Sequence, residues 1–173
     1  IFDRVVKAKN LEVAEFSKLL ENIYRSVNIG FINEMKFIAD KFNLDIYEIL
    51  SLASTKPYGF TRFDPGPGVG GHCIAVDPWF IVSQNKEKAK LIQTAREINN
   101  YKTKWVIDKI KNHVDSYQKN GIKPKIACLG LAFKPNIDDL RESKALEVAE
   151  TLLAEGYEVI SVEPNIQSHK NLK

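Results

Sequence analysis

Ile126-Ala127-Cys128-Leu129 is a short apolar run bounded by Pro124 and Gly130; a helical stretch from Glu142 to Leu153 follows, Gly156 stops it, and Tyr157-Glu158-Val159-Ile160-Ser161-Val162 is a second apolar run. Short apolar runs between turn formers read as buried strands, and a glycine after a periodic segment reads as a helix stop. The order strand, helix, strand is a βαβ start, as at the opening of a doubly wound nucleotide-binding domain. Residues 122–173 are therefore expected to begin a Rossmann-like sheet, which makes the chain α/β overall.

Upstream the pattern is helical. No proline falls between Leu11 and about Phe42, and Phe16, Leu19, Leu20, Ile23, Val27, Phe31, Met35 and Ile38 recur at helical spacing. This predicts one long helix with a bend near Gly30. Asp45 suits the N-cap of a second helix reaching about Ser51, and Ser54 to Gly71 is a Pro/Gly-rich loop. A further helical region runs from about Lys88 to Lys119 through Leu91, Ile92, Ala95, Ile98, Trp105, Ile107, Ile110 and Val114, and Asn120-Gly121 ends it. Residues 1–121 thus form an all-helical domain with long helices, and the boundary falls near Gly121.

Composition narrows the class. With 44% hydrophobic and 27% charged residues the chain is ordinary globular material. It holds no apolar run long enough to span a membrane and no signal-peptide pattern. The net charge of +3 is too weak to argue for nucleic acid, yet it is compatible with a small anionic ligand. Two cysteines, Cys73 and Cys128, make no disulfide framework and fit a reduced, cytoplasmic protein. The scattered histidines and cysteines lack metal-ligand spacing, so no metal is expected. Ile1-Phe2-Asp3-Arg4 has no initiator methionine and the chain stops soon after the second strand, so both ends read as cuts in a longer protein.

Three constellations carry chemistry. In Pro65-Gly66-Pro67-Gly68-Val69-Gly70-Gly71-His72-Cys73-Ile74-Ala75-Val76-Asp77-Pro78, four glycines crowd in ahead of a cysteine, and a carboxylate follows. So much glycine marks backbone that approaches something closely or turns sharply. A cysteine delivered by such a loop, flanked by main-chain N–H groups, is set up as a nucleophile; the plainer alternative is a tight surface loop with an incidental cysteine. His72 is adjacent, but consecutive side chains diverge, which argues against a Cys–His dyad. Lys18 and Asn22 lie one helical turn apart on one face and could stabilise an oxyanion, although a solvated polar stripe is the commoner meaning of such a pair. After the first strand come Gly130-Leu131-Ala132-Phe133-Lys134-Pro135 and Asp138-Asp139-Leu140-Arg141-Glu142-Ser143. There Phe133 can pack on a base or sugar, Lys134 can meet phosphate or ribose, and Arg141 near a helix N-terminus suits an anion. Cys128, within the apolar run, reads as core.

Together these segments resemble the UDP-glucose/GDP-mannose dehydrogenase family. The glycine string and its Ala-Val-Asp-Pro ending are most similar to the branch that oxidises UDP-N-acetyl-D-mannosamine. Ala14-Glu15-Phe16-Ser17-Lys18-Leu19-Leu20-Glu21-Asn22 and Ile29-Gly30-Phe31-Ile32-Asn33-Glu34 resemble the family's central helix, and the segments after Gly130 resemble its UDP-binding domain. The resemblance implies Cys73 as nucleophile, Lys18 and Asn22 as stabilisers of oxygen charge, and Asp77 as the group that orders or deprotonates water. It implies Arg25, Gly70, Gly71, His72, Phe133 and Lys134 as substrate contacts, and Arg141 as the arginine that reaches the NAD side. Arg62 sits where the family often has an arginine that reaches a neighbouring subunit's substrate, but Lys56-Pro57-Tyr58-Gly59-Phe60-Thr61 departs from the usual His-Pro-Arg.

The implied activity is an NAD-dependent oxidation of the sugar's C6 alcohol to the acid, through a thiohemiacetal and a thioester on Cys73. The implied partners are a UDP-sugar and a second copy, joined through the central helices, with apolar faces such as Ile98/Trp105 at the dimer core; neither nucleic acid nor membrane is implied. UDP-glucose and UDP-N-acetylglucosamine are alternative substrates, and an inert helical dimerisation or nucleotide-binding module is the non-enzyme alternative. No Gly-x-Gly-x-x-Gly follows a strand anywhere in the chain, so these residues are expected to hold the nucleophile without the NAD site.

Overall fold

The computed structural model describes residues 3–169. Five helices and two strands follow in the order α1 (Leu11–Lys41), α2 (Ile46–Ala53), α3 (Cys73–Gln84), α4 (Lys90–Gln118), β1 (Ile126–Leu129), α5 (Lys144–Ala154) and β2 (Val159–Val162). A helical N-terminal part leads into one βαβ unit, as the sequence predicts. None of the described helices is long and apolar enough to cross a membrane.

The helix ends follow local chemistry. The Asn10 side chain accepts from the N–H of Val13 at 3.0 Å and opens α1. At its far end Asn43 takes φ 55, and the N–H of Leu44 donates back to the Ala39 carbonyl at 2.9 Å, a left-handed stop. Asp45 caps α2 through the N–H of Tyr47 at 2.9 Å, and Ser143 caps α5. Gly156, with φ 89, closes α5.

Helix α1 runs as one helix through Gly30. The glycine serves a close contact. A Cβ at this position would stand 2.9 Å from the carbonyl oxygen of Ala95 and 3.1 Å from its Cβ, so the glycine lets α1 and α4 approach closely. Beside this crossing the buried Asn33 and Asn99 side chains pair at 2.9 Å, and Asn99 also donates to the Ser26 carbonyl at 2.9 Å. An inter-helix amide network of this kind fixes the register of the two helices.

Two apolar cores result. Ile32, Ala39, Ile46 and Leu50 join α1 to α2, with Phe60 and Phe63 of the following loop packed on them. Ile107 of α4 packs with Val148 and Leu152 of α5, and Ile126, Tyr157 and Val159 border that cluster. Helix α4 therefore contributes to the second core and meets α1 separately, at the Gly30–Ala95 crossing.

The sequence reading misses one helix, and three expectations need correction. The string from Cys73 to Gln84 forms α3, which periodicity could not reveal because its apolar residues leave no polar face and Pro78 lies inside it. The strands were expected to be buried, but they pair in parallel, Ile126 with Val159 through Leu129 with Val162, and alternate half-buried and exposed. Only the α5 side of this two-stranded ribbon is covered among the described residues, and Leu129 is 79% exposed. Cys128 accordingly is half-buried rather than core, although burial still pushes its thiol above the ordinary value. Lastly, Ile98 and Trp105 are half-buried, not open faces; Trp105 packs on Phe37 at 5.3 Å between ring centres. The exposed apolar stripe lies on α1 instead, at Phe16, Leu20, Tyr24, Phe31 and Ile38.

Candidate active site

Cys73 is the first residue of α3, exposed and free. The first N–H groups of a helix have no intrahelical partner and carry partial positive charge, which favours an anion at that end. His72 stands at the N-cap position, exposed, with no capping bond from its side chain. Asp77 follows Cys73 by four residues and so shares its face of α3, one turn on.

Asp77 is tied to α1. The Asn22 amide, 1% exposed, donates to its Oδ2 at 2.6 Å. On the other side of the same amide, Asn22 Oδ1 accepts from Arg25 Nη2 at 2.6 Å. Arg25 also reaches Glu21 at 3.1 Å, while its Nε is buried without a partner among the described residues. Lys18 joins this chain of bonds only at its solvent end: it is exposed and paired with Glu21 Oε2 at 2.8 Å. That pairing, foremost, holds the Glu21 carboxyl below its ordinary range.

The glycine loop is anchored from both long helices. The Gly66 N–H donates to Asn33 Oδ1 at 3.2 Å, and Thr103 Oγ1 donates to the Pro67 carbonyl at 2.9 Å. Then the loop presses on the C-terminal part of the chain. A Cβ on Gly70 would meet the Glu142 carbonyl oxygen at 2.7 Å, and one on Gly71 would meet the Phe133 ring at 2.8 Å. Gly71 also has φ 76, in the left-handed region. Its N–H donates to the Arg141 carbonyl at 3.1 Å. These glycines are required by contact with Phe133 and the Arg141–Glu142 peptide.

The Arg141 side chain, exposed, is held in a fork by Asp139 with contacts of 2.6 to 3.0 Å. Those bonds come first in raising the guanidinium above its ordinary value, and the neighbouring Cys73 adds a smaller share. Phe133, Lys134, Gly68 and Gly70 line a groove of about 520 Å³ that continues to Lys144 and Glu163. The Lys134 ammonium lies 5.5 Å from the Phe133 ring centre. Arg62 does not join either group; it pairs with Asp64 at 2.8 Å and reaches Ser51 at 3.3 Å.

The structure thus gathers Cys73, Asp77, Asn22 and Arg25 around α3 and Gly70, Phe133 and Lys134 at the groove, with Gly71 packed on Phe133 and bonded to the Arg141 main chain while the Arg141 side chain stays exposed beside Asp139. Sequence reasoning missed Glu163, whose carboxylate accepts from the N–H groups of Leu131, Ala132 and Asn165. These bonds lower its pKa to about 2. An acidic residue at the end of the second strand of a βαβ was the available signal. Arg96 was missed as well: it is buried, with Nε and Nη1 unpartnered among the described residues, and burial lowers its pKa.

Comparison with known proteins bears on the family directly. The model for the UDP-glucose/GDP-mannose dehydrogenase family, central domain, matches residues 12–101. The model for that family's UDP binding domain matches residues 127–173. The chain belongs to the UDP-glucose/GDP-mannose dehydrogenase family. Among relatives of this family member, the UDP-N-acetyl-D-mannosamine dehydrogenase of Escherichia coli (strain K12) is 52% identical over 163 residues, covering 91% of this chain and 38% of its own. The NDP-N-acetyl-D-galactosaminuronic acid dehydrogenase of Ralstonia nicotianae is 48% identical, covering 89% of this chain and 36% of its own. The solved UDP-N-acetyl-mannosamine dehydrogenase Cap5O from S. aureus superposes with a TM-score of 0.81 at 38% identity, over 95% of this chain and 38% of that one. This family member therefore spans under two fifths of the length of such relatives.

Proposed function

We propose that this chain is part of a nucleotide-sugar 6-dehydrogenase that oxidises UDP-N-acetyl-D-mannosamine to its uronic acid, with NAD as the oxidant. The observation that carries the reading is Cys73 at the head of α3 with Asp77 one turn on, tied to the buried Asn22. The similarity to dehydrogenases of N-acetylated nucleotide sugars supports the substrate class. The relative from Ralstonia nicotianae favours, as second reading, a different 2-acetamido sugar with unchanged chemistry.

In this reading the Cys73 thiolate adds to C6 of the intermediate aldehyde, forming a C–S bond while the carbonyl oxygen takes up a proton. Removal of the second hydride from C6, which an oxidant held outside the described residues would accept, together with release of the thiohemiacetal hydroxyl proton to solvent, leaves a thioester. Water then attacks the thioester carbon, the C–S bond breaks, and the acid departs as the sulfur recovers a proton. Asn22 and Lys18 stabilise charge on the oxygen; for Lys18 this requires release from Glu21. Asp77, held by Asn22, orients or deprotonates the water. Phe133 and Lys134 take the uridine diphosphate end, with Gly70, Gly71, His72 and Arg25 near the sugar. Arg141 is assigned to the NAD side and Arg62 to a neighbouring copy's substrate.

A dinucleotide's pyrophosphate needs free main-chain donors at a turn after a strand. Here the Leu131 and Ala132 N–H groups after β1 are already bonded to Glu163, so the described residues do not fit NAD and no step is assigned to it. The reading divides the chain into a central domain, 1–121, and part of a UDP-binding domain, 122–173. It places the protein in the cytoplasm, in keeping with two free thiols. It also includes a homodimer through the central helices, for which the exposed α1 stripe is the natural seam.

The test is alkylation of Cys73 by iodoacetamide, with Cys128 as internal reference. Protection by UDP-N-acetyl-D-mannosamine and much weaker protection by UDP-glucose is expected, with no NADH formed by the chain alone. Equal labelling of both cysteines, unaffected by either sugar nucleotide, would move the chain to the inert-module reading.

A further inference from the structure

The turn after β1 is pinned on both sides of one peptide. It begins at Gly130 with φ 89, and the next two N–H groups, of Leu131 and Ala132, donate to one oxygen of Glu163 at 2.8 and 3.0 Å. The other Glu163 oxygen accepts from the main chain of Asn165 at 2.9 Å and from its side chain at 3.2 Å. On the opposite side, the Leu131 carbonyl accepts from Ser143 Oγ at 2.5 Å, and Ser143 caps α5. Leu131 itself is buried. Two residues on, Phe133 lies against Gly70 and Gly71, and Lys134 follows.

Main-chain donors at such a turn are the usual seat of a ligand phosphate in a βαβ unit. Here a carboxylate sits on them and faces the same groove as Lys134 and Lys144. Its negative charge repels a phosphate from those donors, and its two bonds leave them nothing to offer.

We propose that Glu163 is a positioning residue of the groove: by holding the Leu131 and Ala132 N–H groups it fixes the turn so that Phe133 and Lys134, not main-chain donors, meet the nucleotide. This rests on the nucleotide-sugar reading above for the identity of the ligand. The phosphate charge then falls to the lysines, and a ligand that requires the turn's own donors is turned away.

The test compares the chain with Glu163→Ala and Glu163→Gln. Its measurements are amide exchange at Leu131 and Ala132, calorimetric binding of UDP and of inorganic pyrophosphate, and the Cys73 alkylation rate relative to Cys128. In E163A, exchange of both amides should rise about tenfold, UDP affinity should fall about tenfold, and pyrophosphate affinity should rise. E163Q keeps one carbonyl acceptor without the charge, so it should fall between the two in amide exchange while gaining pyrophosphate affinity. Folding of each variant is checked by circular dichroism, and if E163A does not fold, E163Q decides alone. Unchanged amide exchange in the folded variants overturns the proposal, as does a freed turn with unchanged UDP affinity. A wild-type chain that fails to bind UDP instead sinks the nucleotide reading. The exchange and alkylation measurements, which need no nucleotide, then judge Glu163: freed amides with a Cys73 rate changed about threefold or more uphold its positioning role, and an unchanged rate overturns it.

Discussion

Asn22 on α1 and Asp77 on α3 meet through a 2.6 Å hydrogen bond that spans 55 positions of sequence, and the donor is the more deeply buried of the two. Because Asn22 also accepts from Arg25, its amide is satisfied on both ends, and neither oxygen nor nitrogen can be deleted quietly. Asn22→Ala should destabilise the chain by about 1–3 kcal/mol in urea unfolding, and Asn22→Asp by more, since it sets two carboxylates against each other. Equal stabilities for the wild type and both variants would mean that the bond contributes nothing.

Gly71 is fixed by two separate constraints, its positive φ and the Phe133 ring. Gly121 has nearly the same φ, 77, but open space around it. Gly121→Ala should therefore lose about 1 kcal/mol from backbone strain alone, and Gly71→Ala about 2–4 kcal/mol. Matched denaturation curves for the pair separate strain from collision. The Phe133→Ala background should shrink the excess at position 71.

Glu142 carries a side chain at φ 52, and its carbonyl faces Gly70. Glu142→Gly should stabilise the chain by about 0.5–1 kcal/mol by removing that strain, measured as a rise in denaturation midpoint. A loss of stability would show that the Glu142 side chain matters more than its backbone.

Lys102 is buried between Phe37 and Trp105, with its ammonium 4.8 and 4.2 Å from the ring centres. Desolvation first, then Lys36, lower its pKa from 10.5 to about 8. Its unfolded form thus binds more protons than its folded form between those values, so its contribution disfavours folding below about pH 8 and is relieved as pH rises toward 10.5. Lys102→Met should stabilise the chain at pH 7 by roughly 1–2 kcal/mol and flatten that alkaline rise, read from stability against pH.

Glu163 has the opposite sign. Bonds to the N–H groups of Asn165, Leu131 and Ala132 lower its pKa from 4.5 to about 2, so its stabilisation is complete above about pH 4.5 and is lost as pH falls toward 2. Acid titration should release the Leu131 and Ala132 amides to exchange within that window. Retained protection at the lower end would show another acceptor for them.

Much of this architecture is legible in the sequence because the physics is local. Asp45 announces α2, Gly156 ends α5, and the apolar runs at Ile126 and Tyr157 mark both strands. What stays hidden depends on distant partners. Helix α3 is masked by its uniform apolarity and by Pro78. The use of Gly70 and Gly71 depends on Phe133, far along the chain, whereas the Lys18–Glu21 pair is local, at a helical spacing that itself allows an ion pair. Half-open strands follow from the absence, among the described residues, of anything on the second face of the ribbon, a property of neighbours rather than of Ile126-Ala127-Cys128-Leu129.

Helix α4 meets α1 at Ala95 and Asn99 and meets α5 at Ile107, all within one uninterrupted run of hydrogen bonds. Twelve residues of helix, about 18 Å, separate the first of these contacts from the last. Neither half of the chain can melt while the other stays folded unless that single helix is broken in its middle, which leaves an abrupt boundary between ordered and disordered turns. Heat or denaturant should therefore take both halves through one shared, all-or-none transition, even though separate family models describe them.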